Sequence, residues 1–129
     1  MGKKPILIVG GEPNSIFLEI FFKSIKANSY KSPLIIVVSK KLLQEQMIKL
    51  GFSFKINDID IKFKNFSKLD NKKINLINVD YNFKKCFEKI SNKSNKYIDE
   101  TFLIALKLMQ QNKFSKFING PISKKYFLK

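Results

Sequence analysis

Two short loops hold the residue types that could bind a ligand. The first is Gly10-Gly11-Glu12-Pro13-Asn14-Ser15, and the second is Asn119-Gly120-Pro121-Ile122-Ser123-Lys124. Each follows an apolar run that is typical of a buried strand, residues 5–9 and 114–118. The Glu12 carboxylate and the Lys124 ammonium could contact polar or phosphorylated groups, and free N–H groups at a helix start could bind an anion.

The first loop fits neither of the common phosphate-binding motifs. A P-loop needs a second glycine followed by Lys and Ser/Thr, but Ile16-Phe17-Leu18 stands there, and the G-x-G-x-x-G spacing is absent. The alternative is a tight turn from strand to helix with Asn14 or Ser15 as the N-cap. For Lys124 the alternative is a solvated side chain, because lysine is abundant in this sequence.

The composition excludes several kinds of catalytic and metal site. The 129 residues include no histidine, no arginine and no tryptophan, and Cys86 is the one cysteine. A Ser-His-Asp or Cys-His triad, an internal disulfide and a Cys/His zinc site are therefore excluded within this chain. We accordingly predict no catalytic, cofactor-binding or metal-binding residue within it.

The formal net charge of +15 suggests a partner that is a polyanion. However, the lysines are scattered from Lys3 to Lys129, and the longest uninterrupted runs are pairs such as Lys40-Lys41. The arginine that usually reads guanine edges is missing. We predict only weak, nonspecific binding to nucleic acid.

Apolar periodicity predicts strands that alternate with helices. We expect strands at residues 4–9, 33–38, 74–79 and 114–118, and one or two exposed or antiparallel strands within residues 52–66. One helix begins after Asn14 or Ser15 and ends near Lys26, with an apolar face made by Leu18, Phe21, Phe22 and Ile25.

Two further helices are predicted. Ser39 caps the second, which ends near Leu50 before Gly51 and turns Leu43, Met47 and Leu50 inward. The third spans residues 95–111 with Ile98, Phe102, Ala105 and Met109 on one face and Leu106 beside them. Residues 68–73 form a polar turn, residues 81–95 are irregular or partly helical, and residues 122–129 could begin a last helix.

This alternation predicts one α/β domain, residues 1–129, with a largely parallel sheet flanked by helices. No stretch approaches the ~20 apolar residues of a membrane span, and the apolar run at residues 5–9 is too short for a signal peptide. We therefore expect a cytoplasmic protein. The end of the sequence looks like a βαβ unit without its return strand, so we expect a fragment of a longer protein.

In this order and separation, the two loops resemble those of the 4-hydroxythreonine-4-phosphate dehydrogenase family. Its members have a loop of the type G-[DE]-P-A-G-I-G-P-E after the first strand, and later a helix, a strand and T-[AG]-P-[IV]-[NH]-K. The residues that match are Gly11, Glu12, Pro13, Ile16, Glu19, Gly120, Pro121, Ile122 and Lys124. Those that depart are Asn14, Ser15, Phe17, Leu18, Asn119 and Ser123. Since glycine alone accepts a positive φ without strain, Ser15 and Phe17 indicate a loop built differently or a diverged member.

The resemblance implies part of the fold of the isocitrate and isopropylmalate dehydrogenases. It implies an enzyme that oxidises 4-phosphooxy-L-threonine with NAD beside a divalent metal, in pyridoxal 5′-phosphate biosynthesis, as a two-domain homodimer. In the family, the metal-binding histidines, a G-H-T-E motif and the nicotinamide-binding segment follow the Gly-Pro loop, so this chain would be the N-terminal portion and inactive alone. The alternative is a small, basic, non-catalytic α/β module that binds phosphorylated ligands or RNA.

The residues predicted to line the substrate cleft are Glu12, Pro13, Asn14, Gly120 and Lys124. If the first and last strands are parallel, their loops end at the same edge of the sheet and face one crevice. We expect Glu12 and Lys124 on the rim of that crevice, close enough for their charges to interact.

Overall fold

The computed structural model describes residues 4–84, 87–111 and 114–122. Their order is β1 (Ile6–Val9), α1 (Phe17–Ala27), β2 (Leu34–Val38), α2 (Lys40–Leu50), β3 (Ile56–Asp58), β4 (Ile74–Asn78), α3 (Asn95–Gln110) and β5 (Lys116–Asn119). Short 3₁₀ turns at Phe66–Lys68 and Asn92–Ser94 interrupt the connections. The last predicted helix, residues 122–129, falls almost wholly outside the described residues.

The five strands form one sheet in the order β3-β4-β2-β1-β5, and every pair is parallel. This confirms the predicted α/β fold. The two central strands β1 and β2 are continuous apolar runs because both of their faces are covered, whereas the edge strands β3 and β5 contain polar residues and are more exposed.

Each face of the sheet has its own apolar core. On the first face, α1 and α2 pack against alternate strand residues such as Ile8, Ile36 and Leu76. On the second face, α3 and the turn at Phe66 pack against the intervening residues, including Leu7 and Val37. The period of two along each strand therefore decides which helix each side chain contacts.

The two helices on the first face begin differently. Ser39 caps α2 as predicted, since its Oγ accepts a hydrogen bond from Leu42 N at 3.2 Å, and Gly51 ends the helix with φ 79°. For α1 the predicted N-cap position, Asn14 or Ser15, was one or two residues early: the N-cap is Ile16, whose own side chain makes no capping hydrogen bond. Ser15 Oγ accepts from Phe17 N at 3.2 Å, so the hydroxyl of this predicted cap still bonds the first N–H of the helix.

The expectation of one or two exposed or antiparallel strands within residues 52–66 was met in part, since one strand forms there at the partly exposed edge of the sheet. Only the three residues of β3 form a strand, and it is parallel to β4. The alternating apolar residues here pack from loops: Phe52 and Phe54 contact Phe22 on the first face, with ring centroids 5.4 and 6.1 Å away. The alternation therefore reflects packing from loops rather than extended pairing.

The buried face of α3 is rotated from the predicted one. Ile98 and Ala105 are buried as expected, and Phe102 and Met109 are partly buried against the same core, but the fully buried positions also include Tyr97, Thr101 and Leu108. Leu106 is 53% exposed. No helix within the described residues is both long enough and apolar enough to cross a membrane.

Candidate functional site

The two predicted loops are neighbours in the structure. β1 pairs with β5 in parallel, with Val9 opposite Asn119, so both loops leave the same edge of the sheet. β2, the strand that follows β1 in the sequence, lies on one side of β1 in the sheet, and β5 lies on its other side. This is the reversal point at which open α/β sheets bind their ligands.

Backbone contacts hold the two loops together. Glu12 N donates to the Pro121 carbonyl oxygen at 2.8 Å, and Gly120 N donates to the Val9 carbonyl oxygen at 2.7 Å. A Cβ placed on Gly120 would lie 2.2 Å from the Gly10 carbonyl oxygen. Gly11 has a φ of 72°, and its own Cβ would lie 2.6 Å from the Gly120 carbonyl carbon. The close approach therefore needs glycine on both sides.

Glu12 lies beneath this edge and not on its rim, which corrects the predicted position. Its side chain is only 3% exposed. The carboxylate accepts from Asn14 N at 3.2 Å and from Ser94 Oγ at 3.1 Å. Ser94 precedes the first residue of α3, where the helix dipole favours a negative charge. Lys124 and Ser123 lie outside the described residues, so the predicted Glu12–Lys124 proximity stays a prediction.

Two of the remaining predicted cleft residues, Pro13 and Asn14, are hydrogen-bonded by residues from distant parts of the chain. The Pro13 carbonyl oxygen accepts from Nε2 of Gln46, a fully buried residue of α2, at 3.0 Å. Asn14 is partly exposed, and its Oδ1 accepts from Glu88 N at 3.0 Å. Gly120 is buried. Among the predicted cleft residues that the structure describes, Asn14 is therefore the one that is partly exposed.

Tyr81 and Tyr97, which the sequence pattern did not indicate, pack at the same edge of the sheet. The Tyr97 hydroxyl accepts from Ser39 N at 2.8 Å, and its ring lies 4.7 Å from that of Tyr81. Burial raises the pKa of Tyr97, and the negative charge of Glu12 adds to the effect. The pKa of Tyr81 is also raised, mainly by burial and further by the negative charges of Glu12 and Glu88. Both hydroxyls are therefore neutral near pH 7.

A polar groove of about 540 Å³ continues along this edge above β2 and β4. Within it, Lys40 N donates to Asn78 Oδ1 at 2.8 Å. The Lys40 ammonium is paired with Asp58 at 2.7 Å, and that of Lys41 lies 5.0 Å above the centre of the Phe83 ring. The groove is lined by Ser39, Lys40, Lys41, Gln44, Asn78, Asp80, Tyr81 and Asn82. The groove therefore offers both hydrogen-bond donors and hydrogen-bond acceptors to a small polar molecule.

One signal in the sequence points to a supporting residue that was missed. Gln46 is a polar residue on the inner face of α2, among Leu42, Leu43 and Met47. A buried amide at such a position needs a polar partner. Ser94 and Tyr97 carry no comparable signal, since their partners are 82 and 58 residues away.

The described residues do not fit a metal ion. No three Asp, Glu, Cys or His side chains among them come together in a metal-binding arrangement. The sequence also has no histidine and no glycine-rich dinucleotide loop. We therefore assign no reaction step to a metal or nicotinamide cofactor on these residues.

The fold is a parallel α/β sheet in which the two paired loops lie side by side at the reversal point. Among solved structures, the 4-hydroxythreonine-4-phosphate dehydrogenases share this fold, which confirms the resemblance at the level of structure. The enzyme from Burkholderia phymatum superposes with a TM-score of 0.75 at 18% identity, over 95% of this chain and 38% of that one.

Two further structures agree. A putative enzyme of the same name from Salmonella typhimurium superposes with a TM-score of 0.77 at 16% identity. The Klebsiella pneumoniae enzyme superposes with a TM-score of 0.76 at 18% identity. Both matches cover 95% of this chain, which spans about two-fifths of the length of these proteins. The sequence itself matches no family model and no curated protein.

Proposed function

We propose that this chain is the substrate-binding portion of a dehydrogenase that acts on 4-phosphooxy-L-threonine, and that residues beyond it supply the redox chemistry. The superposition on 4-hydroxythreonine-4-phosphate dehydrogenases over 95% of the chain carries the proposal. The paired loops at the reversal point of the sheet support it, because ligands of open α/β sheets bind there.

In this proposal the two loops form one wall of the substrate cleft. Asn14 presents a partly exposed amide, and Lys124 supplies a cation for the phosphate. Glu12 is a positioning residue, since its buried carboxylate holds the loop against Ser94 at the start of α3. Gln46 fixes the same loop from α2 through the Pro13 carbonyl oxygen. The complete enzyme would use NAD and a divalent metal as a cytoplasmic homodimer.

The first test separates binding from turnover. The ¹⁵N-labelled chain is titrated with 4-phosphooxy-L-threonine, and we expect amide shifts at Glu12, Asn14 and Gly120. Asn14→Ala should weaken binding, whereas Asn28→Ala, at the far end of α1, should not. Shifts confined to lysines elsewhere, or none at all, would contradict the proposal.

The second test is turnover by the isolated chain. We expect no NADH formation from NAD, 4-phosphooxy-L-threonine and a divalent metal, because the chain offers no histidine ligand and no dinucleotide loop. Robust turnover without an added partner would show that the redox residues lie within these 129 residues.

The net charge of +15 supports a second candidate, a non-catalytic module for phosphorylated ligands or RNA. The same titration distinguishes the two candidates. Equal binding of RNA, inorganic phosphate and 4-phosphooxy-L-threonine would favour the module.

A further inference from the structure

A cavity of about 340 Å³ lies at the amino ends of β2 and β4, on the first face of the sheet. The last turns of α1 and the segment Asn28–Tyr30 form one wall, and the turn Asn71–Lys73, which leads into β4, forms the other. Strands of five residues separate this end of the sheet from the edge with the two loops by roughly 13 Å. The cavity is therefore distinct from the candidate site described above.

The apolar part of the cavity lining is also its deeper part. Phe21 and Ile74 are buried, and Leu34 and Phe54 are partly buried. A closed apolar cavity of about 150 Å³ is enough to hold benzene. This cavity therefore has room for one six-membered ring with a short substituent.

Hydrogen bonds between the two walls hold the cavity in shape. Asn71 Oδ1 accepts from Leu34 N at 2.8 Å. Asn71 Nδ2 donates to the carbonyl oxygens of Tyr30 and Ser32 at 3.1 and 2.8 Å. The hydroxyl of Tyr30 is in turn hydrogen-bonded to that of Ser24. A ligand would therefore meet a preformed site, which lowers the entropic cost of binding.

Two lysines give the mouth of the cavity a positive charge. Lys72 and Lys73 line it and are exposed, and neither makes an ion pair with a carboxylate of the described residues. None of the described lining residues is acidic. Asp70, the acidic residue of the same turn, accepts from Lys72 N at 2.9 Å and is not part of the lining. The charge at the mouth therefore favours an anionic group on a ligand.

The lysines also indicate which kind of partner occupies the cavity. Lysine is depleted from the cores of interfaces between proteins. Small molecules, in contrast, bind in cavities of about 300–1,000 Å³ whose lining is mostly apolar, with a few polar groups that fix the orientation of the ligand. An apolar base beneath two exposed ammonium groups fits a small molecule better than a packed protein element.

We propose that this cavity binds a small aromatic carboxylate, with its ring against Phe21 and Phe54 and its carboxylate at Lys72 and Lys73. The two phenylalanine rings favour an aromatic group, because aromatic pairs gain energy beyond the apolar area that they bury. An ammonium group binds a carboxylate as a compact point charge. The inference does not rest on the proposed function, since it uses no residue of the two loops.

The test is titration of the ¹⁵N-labelled chain with phenylacetate, phenylacetamide and acetate. Phenylacetate carries both the ring and the charge, phenylacetamide carries the ring alone, and acetate carries the charge alone. With phenylacetate we expect saturable amide shifts at Ser29, Asn71 and Lys73 and a dissociation constant of about 1 mM or lower, as ordinary ligand efficiency gives for about ten non-hydrogen atoms. Phenylacetamide should bind about tenfold more weakly, because it forms neither ion pair. Acetate should give no saturable shifts at these amides.

Two pairs of variants test the charge and the ring separately. Lys73→Gln should weaken phenylacetate binding about twofold to fivefold, the size of an exposed ion pair, whereas Lys49→Gln, an exposed position on α2, should not. Phe54→Leu should weaken binding of both aromatic ligands about twofold to tenfold. Its control is Phe63→Leu, which removes a partly buried ring from the second face and should have no effect. Circular dichroism should show that all four variants are folded.

Several results would overturn the proposal. One is the absence of saturable shifts at the cavity, and another is an equal response to acetate, which would mean that the lysines attract any small anion. Equal affinity for phenylacetate and phenylacetamide would overturn the role of the carboxylate. Binding that is lost equally in Phe63→Leu or Lys49→Gln would place the ligand elsewhere on the chain.

Discussion

The close contact between the two loops predicts that Gly120→Ala strongly lowers the free energy of unfolding. The new Cβ would lie 2.2 Å from the Gly10 carbonyl oxygen and 2.8 Å from the Gly10 carbonyl carbon. Both atoms are backbone, so no rotamer change relieves the overlap. Gly120 N is also held by Val9, which prevents the loop from moving away freely.

The magnitude follows from the cost of inserting an atom into packed structure. Overpacking costs roughly 1–3 kcal/mol, and we expect the upper end, about 3 kcal/mol, because the obstacle is backbone. Gly51→Ala is the matched control: its φ is 79°, but nothing lies within 4 Å of the new Cβ. The left-handed conformation alone costs about 1 kcal/mol.

Urea unfolding followed by far-UV circular dichroism measures the difference. With a slope of about 2 kcal/mol per molar urea, the Gly120→Ala midpoint should fall about 1 M further than that of Gly51→Ala. The slope itself should not change. Equal midpoints for the two variants would refute the close crossing of the two loops at this edge of the sheet.

Three further predictions concern the supporting network and the surface. Tyr97→Phe should lower the free energy of unfolding by about 1–3 kcal/mol, because Ser39 N loses its acceptor. Because burial raises the pKa of Tyr97 in the folded state, the contribution of this hydroxyl to stability is constant below about pH 10 and is lost as the pH rises above that. Urea unfolding of the Phe variant across the alkaline range should therefore show a smaller loss of stability than that of the parent chain. Glu12→Ala should lower the free energy of unfolding by about 1–3 kcal/mol, because Ser94 Oγ is left buried without its partner. The control Asp99→Ala changes an exposed residue and should lower it by less than about 0.5 kcal/mol in the same assay. Nucleic-acid binding, measured by fluorescence anisotropy, should show no sequence preference and should fall steeply with salt; a sequence-preferring complex at physiological salt would contradict the low weight given to the net charge.

Much of the fold was determined by local sequence. The apolar run at Ile6–Val9, the run at Leu34–Val38 and the Ser39 cap each specify an element through neighbouring residues alone. Alternation of such elements is enough to predict a parallel α/β sheet. The placement of both loops at one edge also followed, because parallel strands end at the same edge, while the pairing of β1 with β5 is what makes the loops neighbours.

Local pattern was misleading where side chains pack from loops. Phe52 and Phe54 alternate as they would in a strand, but their rings stack on each other and on Phe22. Likewise, the amphipathic pattern of α3 placed Leu106 beside the apolar face, although the burial of Tyr97 and Leu108 shows that the helix is rotated. In each case a distant contact outweighed the periodicity.

The environment of the predicted cleft residues was decided by tertiary structure alone. From its sequence neighbours, Glu12 could be a solvated residue on the rim of a loop. In the folded chain it is buried against Ser94, 82 residues away, while Gln46 holds Pro13 from another helix. A carboxylate can be buried there because the start of α3 and the Ser94 hydroxyl replace the water that it loses. Both of these partners lie far from Glu12 in the sequence, so no short segment contains the carboxylate together with them.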